Sequence, residues 1–261
     1  MTSAWRATVL TLFPEMFPGP LAHSIAGKAL AHQKWCLDAI NIRDFAKDKH
    51  NTVDDTPYGG GAGLVMMADV VHGALCAAET LYEGKASPQY IYVTPRGAPL
   101  TQAIVRTLSQ NPSGIVVLCG RYEGVDDRLV EYWREEKGLI EISLGDYVLS
   151  GGEMAALTLI DACVRLLPGV LIKEEAKTSE SFELDLLEFS QYSKPRIWQN
   201  KVVPEVLLSG DHSKIAAWRQ KSAEQITKER RPDIWKAYDN QRASTKRTQS
   251  GKGGSFAAKG D

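Results

Sequence analysis

Leu144-Gly145-Asp146-Tyr147-Val148-Leu149-Ser150-Gly151-Gly152-Glu153 runs directly into the apolar stretch Met154 to Leu167. A short strand-like segment at 138–142, a glycine-rich loop and a helix that is apolar on nearly every side together make a strand-loop-helix unit. Ser150 and Glu153 stand at capping-box spacing, which predicts a helix over 152–167 whose first turn closes the loop. Glycines at 145, 151 and 152 let backbone N–H groups approach a ligand at that point. Upstream, the apolar runs 5–13, 35–42, 89–93 and 115–119 have strand length and turn residues nearby. Helical patterns cover 20–32, 68–82, 99–110 and 125–133 between them. This alternation predicts an α/β domain built on a mainly parallel sheet flanked by helices.

Pro168-Gly169 end the last of these helices, and the pattern then changes to charged segments and long polar helices. The expected organisation is an α/β domain over 1–169, a linker or active-site loop over 170–185, and a small, mostly helical domain over 186–240. Trp218, Ile226, Ile234 and Trp235 supply the large side chains from which the small domain would build its core. Residues 241–261 carry five basic residues and one acid among Gln, Ser, Thr and Gly, a composition expected to stay disordered.

With 31 basic and 32 acidic residues and 43% hydrophobic content, the chain reads as an ordinary soluble protein. Net charge neither requires nor excludes a nucleic-acid partner. Cys36, Cys76, Cys119 and Cys163 are widely separated and form no metal or redox motif, the pattern of reduced cytosolic thiols. No apolar stretch approaches the roughly 18 residues of a membrane span, and the N-terminus has no basic region leading into an apolar segment. A cytoplasmic location is expected.

Three loops follow three of the expected strands: Thr94-Pro95-Arg96-Gly97, Gly120-Arg121-Tyr122-Glu123-Gly124, and Leu144 through Gly152. Ligands of open α/β sheets bind outside the carboxyl ends of strands, so three glycine-bearing turns there point to one shared pocket. The Gly-Lys-Ser/Thr of a phosphate-binding P-loop is missing after Tyr58-Gly59-Gly60-Gly61-Ala62-Gly63, and no turn has dinucleotide spacing. That glycine cluster, flanked by Arg43, Asp54 and Asp55, is expected to close over a ligand or pack across a subunit boundary. His23, His32, His50, His72 and His212 are dispersed and form no metal-ligand pair. Arg165 sits in the last turn of the buried helix, where it either complements the helix dipole and pairs with a carboxylate, or is held at a pocket edge.

From about Leu10 to Arg231 the sequence resembles the bacterial tRNA (guanine-37-N1)-methyltransferases of the SPOUT superfamily. The resemblance rests on Leu12-Phe13-Pro14-Glu15-Met16-Phe17, Arg43-Asp44-Phe45, Thr52-Val53-Asp54-Asp55 with Pro57-Tyr58-Gly59-Gly60-Gly61, Cys119 to Gly124, Gly145 to Glu153, and Val206-Leu207-Leu208-Ser209-Gly210. It implies a deep C-terminal trefoil knot, which general topology rules would not anticipate. It also implies a bent S-adenosylmethionine held by Thr94, Pro95, Gly120, Tyr122, Glu123, Leu144, Gly145, Asp146, Tyr147, Val148, Leu149, Gly151 and Gly152. Further implications are a homodimer with the active site at the subunit interface, tRNA bound by the small domain, and dependence on magnesium, for which no acidic cluster identifies ligands.

The same resemblance gives Arg165 and Glu180 their roles. Guanine N1 is protonated at neutral pH, so a base must remove the proton as the methyl group arrives. An arginine then steadies the charge growing on O6. Relatives usually have an aspartate before Ser-Phe, where this chain has Glu180-Ser181-Phe182. It also has Gln191-Tyr192-Ser193-Lys194-Pro195 where relatives tend to have His-Tyr-Thr-Arg-Pro. Residues 170–240 carry equal numbers of acids and bases, so phosphate contacts would have to come from local clusters such as Lys228 to Arg231, or Lys173 with Lys177. Competing readings are a knotted methyltransferase acting on a ribose 2′-hydroxyl or a ribosomal RNA base, a non-catalytic RNA-binding relative, and a nucleotide hydrolase, the last disfavoured by the missing P-loop.

Overall fold

A computed structural model describes residues 4–171, 180–182 and 185–250. The chain divides into two compact units, Met1–Ile172 and Lys173–Asp261. In the first, strands β1 (Trp5–Thr11), β2 (Trp35–Asn41), β5 (Gln89–Pro99), β6 (Ile115–Cys119) and β7 (Ile140–Ser143) form one sheet in the order β2-β1-β6-β5-β7. Every pairing in it is parallel. A two-stranded antiparallel pair, β3 (Asp54–Asp55) with β4 (Val65–Met66), flanks the glycine-rich loop.

Both sheet faces are covered, which is why the central strands read as continuous apolar runs. Ile115, Val117 and Cys119 of β6 face α1 (Ser24–Ala31), α3 (Gln102–Gln110) and α5 (Glu153–Leu166). Val116 and Leu118 face α2 (Ala68–Thr80) and α4 (Asp127–Lys137). All five β6 side chains are buried. Helix ends follow local chemistry. Thr101 caps α3 by accepting from the Ile104 N–H, Asp126 caps α4 through the Arg128 N–H, and Gly138 ends α4 in the left-handed conformation.

Some expectations are corrected. The pattern expected to be helical from residue 20 begins as a 3-10 turn over Gly19–Ala22, the extended backbone of His23 (φ −114°, ψ 167°) interrupts it, and α1 starts only at Ser24. The expected turn Thr94–Gly97 is a bulge inside a long strand. Val93 and Ala98 both register with Ile142, so the intervening residues are pushed out of the sheet at its carboxyl edge. The capping box is not formed. Gly152 is the N-cap of α5, with no side-chain capping bond, and the Glu153 carboxylate turns inward to distant partners.

In the second unit, the antiparallel hairpin β8 (Ile197–Trp198) and β9 (Lys201–Val202) precedes α6 (His212–Arg230) and α7 (Pro232–Ser250). On α6 the buried side chains are small and not the large ones expected. Ala223, Thr227 and Leu186 are buried, whereas Trp218, Ile226, Ile234 and Trp235 are only half-buried. The reason is close approach. Thr227 Oγ1 accepts from the Leu187 N–H at 2.8 Å and Ser222 Oγ from the Ser190 N–H at 3.2 Å, so residues 186–190 lie along the small-residue face of α6. The disorder expected from residue 241 is corrected over its first part. Helix α7 continues to Ser250, since Gln, Arg, Ala and Lys favour a helix and the first glycine comes at 251. Residues 172–179, 183–184 and 251–261, which hold most of the expected linker, Lys173, Lys177 and the end of the tail, lie outside the described residues.

Candidate active site

The carboxyl ends of β5, β6 and β7 enclose a cleft of about 290 Å³. All of the expected donor-site residues except Asp146 line it: Thr94, Pro95, Gly120, Tyr122, Glu123, Leu144, Gly145, Tyr147, Val148, Leu149, Gly151 and Gly152. Asp146 is the exposed central residue of a tight turn closed by the Tyr147 N–H on the Gly145 carbonyl at 2.9 Å, and it does not reach the cleft.

Each wall has its own means of support. The bulge after Val93 projects Thr94 to Arg96, and Arg96 makes a paired contact with Asp127, whose carboxyl it holds below its usual range. The second wall is the turn Arg121–Gly124, closed by the Gly124 N–H on the Arg121 carbonyl at 3.0 Å. Tyr122 at its tip has φ of +57°, a left-handed conformation costing a side-chain-bearing residue roughly 1–2 kcal/mol. The glycine-rich loop returns to this wall, where the Glu123 N–H donates to the Leu64 carbonyl at 2.9 Å. Tyr58 in that loop is 98% exposed. A second, wider cleft beside it shares Arg96 and Glu123 with the first.

The third wall is the stretch from Leu144 to Gly152. Ser143 Oγ accepts from the Gly145 N–H at 3.2 Å, and the Gly152 N–H donates to the Gly120 carbonyl at 2.9 Å, so the loop starts and ends tied to the sheet. A Cβ on Gly152 would lie 2.7 Å from Cys119 Cα and 2.8 Å from Val93 Cγ2, which only displacement of backbone could relieve. Gly152→Ala is therefore expected to destabilise the protein by about 1–3 kcal/mol. Thermal unfolding should show a Tm several degrees lower, and an unchanged Tm would mean the loop is free to back away.

Sequence reasoning overlooked the role of Arg121. Its Nη1 donates to the Ser150 carbonyl at 3.1 Å, its Nε to Glu153 Oε1 at 3.1 Å, and its guanidinium lies 4.3 Å from the centre of the Phe13 ring. The available signal was a lone arginine between a strand end and a glycine turn. Cys119 beside it is no nucleophile: burial pushes its thiol well above its ordinary pKa, and the Glu153 carboxylate adds to that.

Neither Arg165 nor Glu180 is among the residues that line the cleft. Arg165 is half-buried in the last turn of α5, so most of a 14-residue helix, about 20 Å at 1.5 Å per residue, separates it from the cleft at the amino end. Glu180 is half-buried in the second unit, next to Ser181, whose Oγ accepts from the Glu188 N–H at 3.0 Å. Among the described residues no group of three or more His, Cys, Asp or Glu side chains converges as a metal site, and no helix is long and apolar enough to cross a membrane.

A family model described as tRNA (Guanine-1)-methyltransferase TrmD matches residues 5–237. A tRNA (guanine-N(1)-)-methyltransferase of Rhodospirillum rubrum is 56% identical over 242 residues, 93% of this chain and 97% of its own. Proteins of the same name from Nitrobacter winogradskyi and Zymomonas mobilis are 54% and 52% identical over 244 residues. These alignments cover 94% of this chain and 98% and 95% of theirs. The match begins with the first strand of the sheet, takes in all three walls of the cleft and ends within the last helix, so the chain belongs to the tRNA (guanine-1)-methyltransferase family.

Proposed function

We propose that this enzyme transfers the methyl group of S-adenosylmethionine to N1 of guanine 37 in tRNA, working in the cytoplasm as a homodimer. The observation that carries the reading is the cleft itself: three loops at adjacent strand ends, lined by Gly120, Gly145, Gly151 and Gly152 and by Leu144, Val148 and Leu149, in a chain of this family. Backbone groups can hold the polar parts of a nucleoside while the leucines and valine cover its apolar faces. Bound there, the donor supplies an electrophilic methyl group on a sulfonium.

The protein groups then have three tasks. Glu180 accepts the N1 proton, Arg165 stabilises negative charge on O6, and the walls of the cleft align methyl carbon with N1. The length of α5 between Arg165 and the cleft supports a shared site, in which each subunit's arginine serves its partner's donor. So does the exposed apolar rim of Tyr147, Val148, Leu149 and Met154, with Val148 at 85% exposure, which suits burial against a second copy. A trefoil knot belongs to the same reading, supported by membership of the family and by no feature of the pairing pattern. Among the described residues no cluster of acidic side chains composes a resident magnesium site.

Radiolabelled methyl transfer to an unmodified tRNA with guanine at position 37, beside the same transcript with adenine there, tests the proposal. Labelling confined to the guanine transcript is expected. Equal labelling of both would overturn the assignment of the substrate base.

A further inference from the structure

Glu153 is 1% exposed, and an anion this deep must be compensated by the groups around it. Thr11 Oγ1, at the end of β1, donates to its Oε1 at 2.7 Å, and Arg121 Nε donates to the same oxygen at 3.1 Å. Oε2 lies 2.8 Å from Arg121 Nη2, an ion-pair contact too poorly angled to count as a hydrogen bond, so this oxygen has no hydrogen-bond donor. Arg121 is thereby fixed from one side, and its Nη1 reaches the Ser150 carbonyl on the other. Gly151 packs against the same side chain, since a Cβ there would lie 2.3 Å from Arg121 Nε. Val148, Leu149 and Ser150 are all exposed, so the bond to Ser150 tethers the third wall where it is otherwise in solvent.

We infer that Glu153 is a positioning residue for the donor cleft: its buried carboxylate sets the Arg121 guanidinium, which in turn holds the Ser150–Gly151 wall, with Thr11 anchoring the linkage to the sheet. None of Glu153 and Thr11 lines the cleft, whereas Arg121, Ser150 and Gly151 do. The linkage therefore acts on donor binding through Arg121 and not by contact. It rests on the proposal that this cleft takes S-adenosylmethionine.

The test uses the full-length protein with Glu153→Gln, Thr11→Val and Thr11→Ser. Glutamine keeps the shape but removes the charge and turns an amide N–H₂ toward the guanidinium. The Kd and KM for S-adenosylmethionine are expected to rise about tenfold in Glu153→Gln, the effect of losing a charge-assisted hydrogen bond. The rate at saturating donor and the KM for tRNA should stay within about twofold of the parent, which separates positioning from chemistry. Thr11→Val should shift donor affinity in the same direction by roughly threefold, and Thr11→Ser, which retains the hydroxyl, should not. A lower Tm with unchanged donor affinity in Glu153→Gln would overturn the inference, as would a rate loss that persists at saturating donor. Should that variant fail to fold, equal donor affinity in Thr11→Val and Thr11→Ser would overturn it by itself. A parent protein that binds no S-adenosylmethionine would instead overturn the proposed function.

Discussion

Arg165→Ala is expected to lower the single-turnover rate of methyl transfer by about 10²- to 10³-fold, the usual effect of removing one donor aimed at developing charge. The Kd for S-adenosylmethionine should be unchanged, because in the proposed shared site Arg165 meets O6 of the base and not the donor. As N1 loses its proton, charge accumulates on O6, and a guanidinium meets it better in a sheltered site than water does. Arg165→Lys should recover only part of the loss, since an ammonium keeps the charge without the planar fork. A shared site has a further consequence. Mixing Arg165→Ala chains with chains whose cleft is filled by Pro95→Trp, at an exposed lining position, pairs an intact cleft with an intact arginine once in each mixed dimer. Random pairing should then restore about a quarter of the parent activity, because half the dimers are mixed and each has one working site. An Arg165→Ala protein retaining a tenth or more of the parent rate, or mixed dimers that recover nothing, would sink these assignments.

The parallel sheet was legible because its chemistry is unambiguous. A run such as Ile115 to Cys119, apolar at every position, is the mark of a strand covered on both faces, and helices on alternate sides supply that cover. The three walls of the cleft were legible as glycine turns at strand ends. What stayed hidden depends on long-range pairing. Thr94-Pro95-Arg96-Gly97 has turn composition, and nothing local says that the chain rejoins the sheet at Ala98.

Glu153 shows the same limit more sharply. Its spacing from Ser150 offers a satisfying local interpretation, yet its partners are Thr11, 142 residues away, and Arg121, 32 residues away. The small domain misled for a related reason. Large side chains were expected to mark the core, but close approach of two backbone segments needs small ones, and Ala223 and Thr227 take the buried positions. Neither pattern is visible without knowing which segments meet.

Glu180→Gln is expected to reduce the methyl-transfer rate by about 10²- to 10⁴-fold, the range for loss of a positioned general base. Glutamine preserves size and can still accept a hydrogen bond, so the loss would be specific to proton acceptance. The chain immediately after Glu180 is well held: the Phe182 N–H donates to the Leu186 carbonyl at 2.8 Å, with Phe182 at φ of +72°. From there the Leu187 N–H reaches Thr227, which is fully buried on α6 and donates to the Ala223 carbonyl at 2.7 Å. A base carried at the edge of such an anchored segment has a limited range of reach. Aspartate is one methylene shorter, so a loop fitted to glutamate should leave Glu180→Asp short. Its expected loss is about tenfold, smaller than that of glutamine because the carboxylate remains. The residual rate of Glu180→Gln should climb steadily with pH, as hydroxide substitutes for the missing base, without the plateau that a titrating protein group gives. Single-turnover rates measured across pH for the two variants beside the parent decide the matter. A glutamine variant with most of the parent rate would assign proton removal to another group, and an aspartate variant equal to the parent would show that the loop adjusts to either length.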